Sequence, residues 1–70
     1  MTISEKIRLL IRRRGFTITR LAAEMGISRQ YLTTKLNKND FTVSELERIA
    51  AVLNCRFDSV FTMLDTGEKV

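Results

Sequence analysis

A hydroxyl residue that can cap a helix precedes an apolar repeat at four places in this chain: Thr2, Thr17, Ser28 and Thr42. At the last three, an apolar residue stands just before the cap and a second follows five positions on: Phe16 with Leu21, Ile27 with Leu32, Phe41 with Leu46. That is the spacing of a hydrophobic staple, which fixes the angle at which a chain enters a helix. Thr2-x-x-Glu5 and Thr42-x-x-Glu45 add capping boxes, in which two side chains satisfy free N–H groups of the first turn. Each cap is worth about 1 kcal/mol. Repeated at this interval, they predict short helices over residues 3–14, 18–25, 29–37 and 43–53.

The apolar positions agree with those boundaries. Ile3, Ile7, Leu10 and Ile11 fall on one face of the first helix, with Arg12–Arg14 loading its last turn and Gly15 suited to a left-handed stop. Ile18, Leu21, Ala22 and Met25 make the stripe of the second, and Val43, Leu46, Ile49, Ala50 and Leu53 that of the fourth. The third helix differs. Only Tyr31, Leu32 and Leu36 are substantially apolar, and Arg29, Gln30, Thr33 and Thr34 gather on another side. A helix this polar within a small core must face either water or a ligand.

The last sixteen residues, CRFDSVFTMLDTGEKV, are ambiguous by periodicity. Phe57, Val60, Phe61 and Leu64 fit a helical stripe, whereas the β-branched and aromatic residues at 60–62 favour a strand. Asp65-Thr66-Gly67 is a tight-turn sequence, after which Glu68–Val70 can return as a short strand.

Seventy residues allow one small domain, at a size where disulfides, metals or a partner subunit often supplement the core. With one cysteine, Cys55, and no histidine, neither an internal disulfide nor a zinc site of ordinary ligands is available, and no cofactor is expected. Cys55 is expected to be a small buried hydrophobe in a reducing compartment. No apolar run approaches a membrane helix, and MTISEKIRLL lacks the features of a signal peptide, so a cytoplasmic protein is expected. Charge is divided unevenly. Residues 1–38 carry nine Lys/Arg against Glu5 and Glu24, a net of +7, and residues 39–70 carry a net of −3. One face meant for a polyanion and ordinary solvated charge explain this equally well. An enzyme is disfavoured: there is no histidine, no phosphate-cradling glycine loop and no carboxylate pair spaced to lie in an apolar pocket.

The segment TITRLAAEMGISRQYLTTKLNK, residues 17–38, carries the functional signal. Two helices meeting steeply across a short turn need a small residue near the crossing, a positive-φ residue at the corner and an apolar anchor after it. Ala22, Gly26 and Ile27 supply these, and Leu32 packs the second helix back on the first. With Thr17, Leu21 and Ser28 in the same register and SELERIAAVLN beyond, residues 3–54 resemble the phage-repressor-like, or Cro/C1-type (XRE), helix-turn-helix DNA-binding family. The resemblance implies a mainly α fold, a four-helix lambda-repressor-like domain over 1–54, followed by a 55–70 extension. That extension resembles the β-hairpin ending of some small bacterial members, and on this resemblance strand is expected over helix.

The resemblance also implies roles. Carried over by position, base contacts fall to Ser28, Arg29, Gln30, Thr33 and Thr34, on a helix of a size that the major groove admits. Phosphate contacts fall to Thr17, Tyr31, Lys35, Asn37, Lys38 and Asn39, with the Arg12–Arg14 cluster and Arg20 as weaker candidates. Many members place glutamine at the first position of the second helix, where this chain has Ile18, and the loop after the third helix reads NKNDF in place of a glycine-containing form. A homodimer is expected, two chains pairing their 57–64 edges and burying Phe57, Phe61 and Met63 between them. The implied function is that of a small bacterial or phage transcriptional regulator, expected to be a repressor, binding double-stranded DNA. The alternative is a protein-interaction module, such as an antitoxin or repressor partner whose acidic second half binds another protein, with DNA binding secondary.

Overall fold

The computed structural model describes residues 1–70. Four helices come first: α1 (Ile3–Arg13), α2 (Ile18–Met25), α3 (Arg29–Lys38) and α4 (Val43–Val52). Two strands follow, β1 (Cys55–Phe57) and β2 (Phe61–Met63), paired antiparallel with Arg56 opposite Thr62. Each helix starts where a cap was expected. The hydroxyls of Thr2, Thr17, Ser28 and Thr42 accept from the N–H groups of Glu5, Arg20, Tyr31 and Glu45, and both capping boxes are closed. The helix ends also have local causes. Gly15 (φ +68°) and Gly26 (φ +72°) take the left-handed conformation after α1 and α2, and Asn39 (φ +55°) does so after α3.

The core is a single cluster drawn from every element. Ile7, Leu10, Leu21, Leu32, Ile49 and Leu53 are fully buried, and Phe16, Ile27 and Phe41, the leading residues of the three staples, pack against that cluster. Val43 departs from its expected stripe: it stands at the first position of α4 and is exposed. A buried polar tie joins the two ends of the helical layer. Ser4 Oγ donates to the Leu36 carbonyl at 2.7 Å, and the Ser4 N–H donates to Asn39 Oδ1 at 2.8 Å.

The tail is strand, but folded differently from the single 57–64 strand expected. The chain turns within Asp58–Val60, where Ser59 reaches φ +80°, and splits that stretch into a hairpin. It turns again at Asp65–Gly67 so that Glu68–Val70 lies along the other side of β2. Phe61 and Val70 exchange both backbone hydrogen bonds there, at 3.2 and 2.8 Å. Phe61 (0% exposed) and Met63 (3%) are therefore inside the chain's own core, together with Cys55. The expectation that they form a subunit interface is corrected: two apolar side chains already sealed in one chain offer no surface to another. Phe57 is half-buried, its ring 4.8 Å from that of Phe61.

Ion pairs latch this tail to α1. Arg14 holds Asp65 through both terminal nitrogens, each at 2.9 Å, and also donates to the Asn54 carbonyl. Arg13 pairs with Glu68. The Arg14 guanidinium holds the Asp65 carboxyl down at about 2, well below the ordinary carboxylate range. Two of the three arginines at the end of α1 thus pair with acidic residues of the tail.

Candidate nucleic-acid interface

The corner between α2 and α3 is built from the glycine outward. The Gly26 N–H donates to the Ala22 and Ala23 carbonyls, and the Ile27 N–H donates to the Ala22 carbonyl at 3.0 Å. These bonds satisfy the carbonyls that α2 leaves free and turn the chain sharply. Ser28 then caps α3 with the next residues already helical. Ala22 and Leu32 are both buried at this crossing. From α4, Arg48 reaches across and donates to the Met25 carbonyl, a second clamp on the same corner.

This geometry turns one side of α3 outward. Leu32 and Leu36 anchor the helix in the core, while Arg29, Gln30, Thr33 and Thr34 line a shallow surface recess of their own. Arg29, Gln30 and Thr34 are exposed, Thr33 is half-buried, and none of the four side chains is engaged in a hydrogen bond or ion pair within the chain. Arginine offers a planar fork of donors, glutamine offers a donor and an acceptor together, and threonine offers a hydroxyl beside a methyl. The four are unengaged, on a rigid element, and of complementary hydrogen-bonding type.

With four capped helices, a left-handed glycine corner and a solvent-facing third helix established, comparison with family models is decisive. The model of the Cro/C1-type helix-turn-helix DNA-binding domain matches residues 6–64. The chain belongs to the Cro/C1-type helix-turn-helix DNA-binding family. Neither a curated protein nor a solved structure gives a match. The family match runs ten residues past Asn54, through both strands, in keeping with their place in the common core. Membership makes the protein a DNA-binding transcription regulator whose partner is double-stranded DNA. No helix is long and apolar enough to cross a membrane.

Against the family's binding face, the residues expected at phosphate fall into two groups. Lys38 is exposed and its ammonium has no partner in the chain, while Thr17 is exposed with its hydroxyl accepting the Arg20 N–H. The others are already engaged. Asn39 caps the start of α1 as described, and Asn37 Oδ1 accepts from Arg8 at 3.3 Å. Tyr31, although exposed, donates its hydroxyl to Glu45 at 3.3 Å, and Lys35 pairs with the same carboxylate at 3.2 Å. Arg20 is engaged on α2 itself, with Glu24 at 2.9 Å and over the Phe16 ring at 4.0 Å. Sequence reasoning missed Glu45 and Arg48 as residues that hold the helix-turn-helix. Glu45 was legible only as half of a capping box, and a contact between Arg48 and Met25 leaves no periodic trace.

The hairpin also has an outer edge. Leu64 donates its N–H to the Asn54 carbonyl and Asp58 to the Val60 carbonyl, both at 3.1 Å. With Arg56 opposite Thr62, the β1–β2 ladder therefore uses Asn54, Arg56 and Asp58. By the alternation of an antiparallel ladder, the backbone groups of Cys55 and Phe57 point away from β2 toward the outer edge.

Proposed function

We propose that this protein is a transcriptional regulator, acting as a repressor, that reads operator DNA in the major groove with α3 as a homodimer in the cytoplasm. The observation that carries the reading is the unengaged set Arg29, Gln30, Thr33 and Thr34 on an anchored helix. Arg29 is suited to guanine O6 and N7, and Gln30 to adenine N6 and N7. Thr33 and Thr34 suit a hydrogen bond or a thymine methyl, and Ser28 lies at the same end of the helix. Lys38, Asn37, Asn39 and the N–H groups at Thr17 would hold the backbone on either side without reading sequence.

Dimerisation is proposed through the outer edge of β1. A two-fold pairing centred on Phe57 sets Arg56 of one chain directly opposite the partner's Asp58, whereas a pairing centred on Arg56 would set two arginines face to face. Within one chain, Arg56 and Asp58 already form an exposed pair at 3.3 Å. The charge pattern thus favours one register, with Phe57 at its centre.

Two variants test the base-reading role. Gln30→Ala should cost roughly 1–3 kcal/mol on the cognate site and relax preference at one base pair. Lys38→Ala should weaken all duplexes alike. Equal losses for both variants on cognate and random DNA would overturn the assignment.

A further inference from the structure

Glu45 is the most heavily used side chain in the molecule that touches α3. Its Oε1 accepts the Thr42 N–H at 2.8 Å, closing the cap of α4, and also takes the Lys35 ammonium at 3.2 Å. Its Oε2 accepts from the Tyr31 hydroxyl at 3.3 Å. Tyr31 and Lys35 lie one turn apart on the flank of α3 that faces α4, and the ammonium stands 5.7 Å from the centre of the tyrosine ring. The Lys35 and Glu45 side chains retain only 18% and 21% of their exposure, so this pair is better shielded than the open surface pairs Arg20–Glu24 and Arg56–Asp58. The pairing pushes the Lys35 pKa up, while the Thr42 N–H and Lys35 together hold the Glu45 carboxyl below its ordinary range.

The consequence concerns the charge that α3 offers to DNA. The helix carries three cations, Arg29, Lys35 and Lys38, and of these only Lys35 has an ion-pair partner. Sequence-independent affinity for DNA comes from cations that displace counterions at phosphates. A cation neutralised from its own side contributes little to that term. Resting on the DNA-binding reading, we propose that Glu45 limits the protein's sequence-independent affinity, by withholding Lys35 and the Tyr31 hydroxyl from the phosphate backbone and fixing the flank of α3 against α4. A small regulator gains from such a limit, because competing non-specific sites on a genome are numerous and each added phosphate contact strengthens binding to all of them.

The test is the salt dependence of binding to a random-sequence duplex, measured with the full chain by fluorescence anisotropy. Glu45→Gln keeps an oxygen for the Thr42 N–H, since glutamine also closes a capping box, but removes the charge that holds Lys35. The log–log slope should steepen by about 0.9, and affinity should rise about eight-fold at 0.1 M salt, the factor that one phosphate contact adds on going down from 1 M. Adding Lys35→Met to Glu45→Gln should return the slope to the wild-type value. Glu47→Gln makes the same change in net charge on an exposed residue of α4 that has no ion pair, and should leave the slope as it is. A Glu45→Gln slope equal to wild type, or a Glu47→Gln slope as steep as that of Glu45→Gln, would overturn the proposal. Loss of affinity in Glu45→Gln with an unchanged urea midpoint would overturn it too. A wild-type protein that binds duplex DNA with no salt dependence would instead bring down the DNA-binding reading on which it rests.

Discussion

Replacing Gly26 by alanine isolates the conformational cost of the corner between α2 and α3. Gly26 sits at φ +72° and ψ 26°, and a Cβ built there meets no atom within 4 Å. Steric clash with the surroundings therefore adds nothing, and the cost is the left-handed conformation itself, roughly 1–2 kcal/mol for a residue with a Cβ. The substitution also removes freedom from the unfolded chain, which returns about 0.4–1 kcal/mol. The net loss should be near 1 kcal/mol. A 70-residue domain at the usual ~0.05–0.15 kcal/mol per residue has a stability of about 4–10 kcal/mol, so the variant stays folded. With a urea slope of about 1 kcal/mol/M, the denaturation midpoint should fall by about 1 M. Gly26→Asn should fall less, because a short polar side chain visits this region more readily. A loss above about 3 kcal/mol would mean that the corner is crowded, and a gain in stability would mean that it is not held left-handed. Either result refutes the reasoning.

Other expectations follow from the packing and the ion pairs. Phe61→Ala should cost about 3–5 kcal/mol, near the whole stability of the domain, because the ring is completely enclosed; a loss under 1 kcal/mol in urea denaturation would remove the hairpin from the core. Asp65, Glu45 and Glu5 all have carboxyls held below their ordinary range. A carboxyl depressed in the folded state contributes stability that is present above its unfolded pKa and lost as pH falls through its folded one. For Asp65 that window runs from about 4 down to about 2, and thermal unfolding of Asp65→Asn should show a shallower decline there than wild type. Arg56→Asp should lower the sedimenting mass toward that of a monomer, and adding Asp58→Arg should restore it; a dimer indifferent to both would refute pairing along β1.

How much of this was legible depends on how far apart in the chain the causes lie. The helices and their caps were readable because each is written within five residues: Thr17 before Leu21, Gly26 before Ile27 and Ser28. Boundaries moved by a single residue at the ends of α1, α3 and α4, where the last turn has no sequence mark as strong as a cap. The hairpin was less legible. Its turn rests on Ser59 at positive φ, a role sequence rules give to glycine or asparagine, so the stretch read as one uninterrupted strand. That misreading placed Phe61 and Met63 at an interface when the returning Glu68–Val70 segment encloses β2. Contacts between distant residues were not legible at all. Arg14 meets Asp65, Ser4 meets Asn39 and Lys35 meets Glu45 only because the fold brings them together, and the first pair makes Arg14, one of the weaker phosphate candidates, part of a latch on the tail. The outward set Arg29, Gln30, Thr33 and Thr34 was visible from the first as polarity without a structural reason, and in the fold it is still without internal partners.

The central claim is that α3 reads sequence and that two copies do so together. Selection of bound duplexes from a random pool by the full chain tests it most directly. The expected result is enrichment of a palindrome whose half-sites lie about one helical turn, roughly 10 base pairs, apart. A retained pool without any common sequence, bound only through its phosphates, would contradict it.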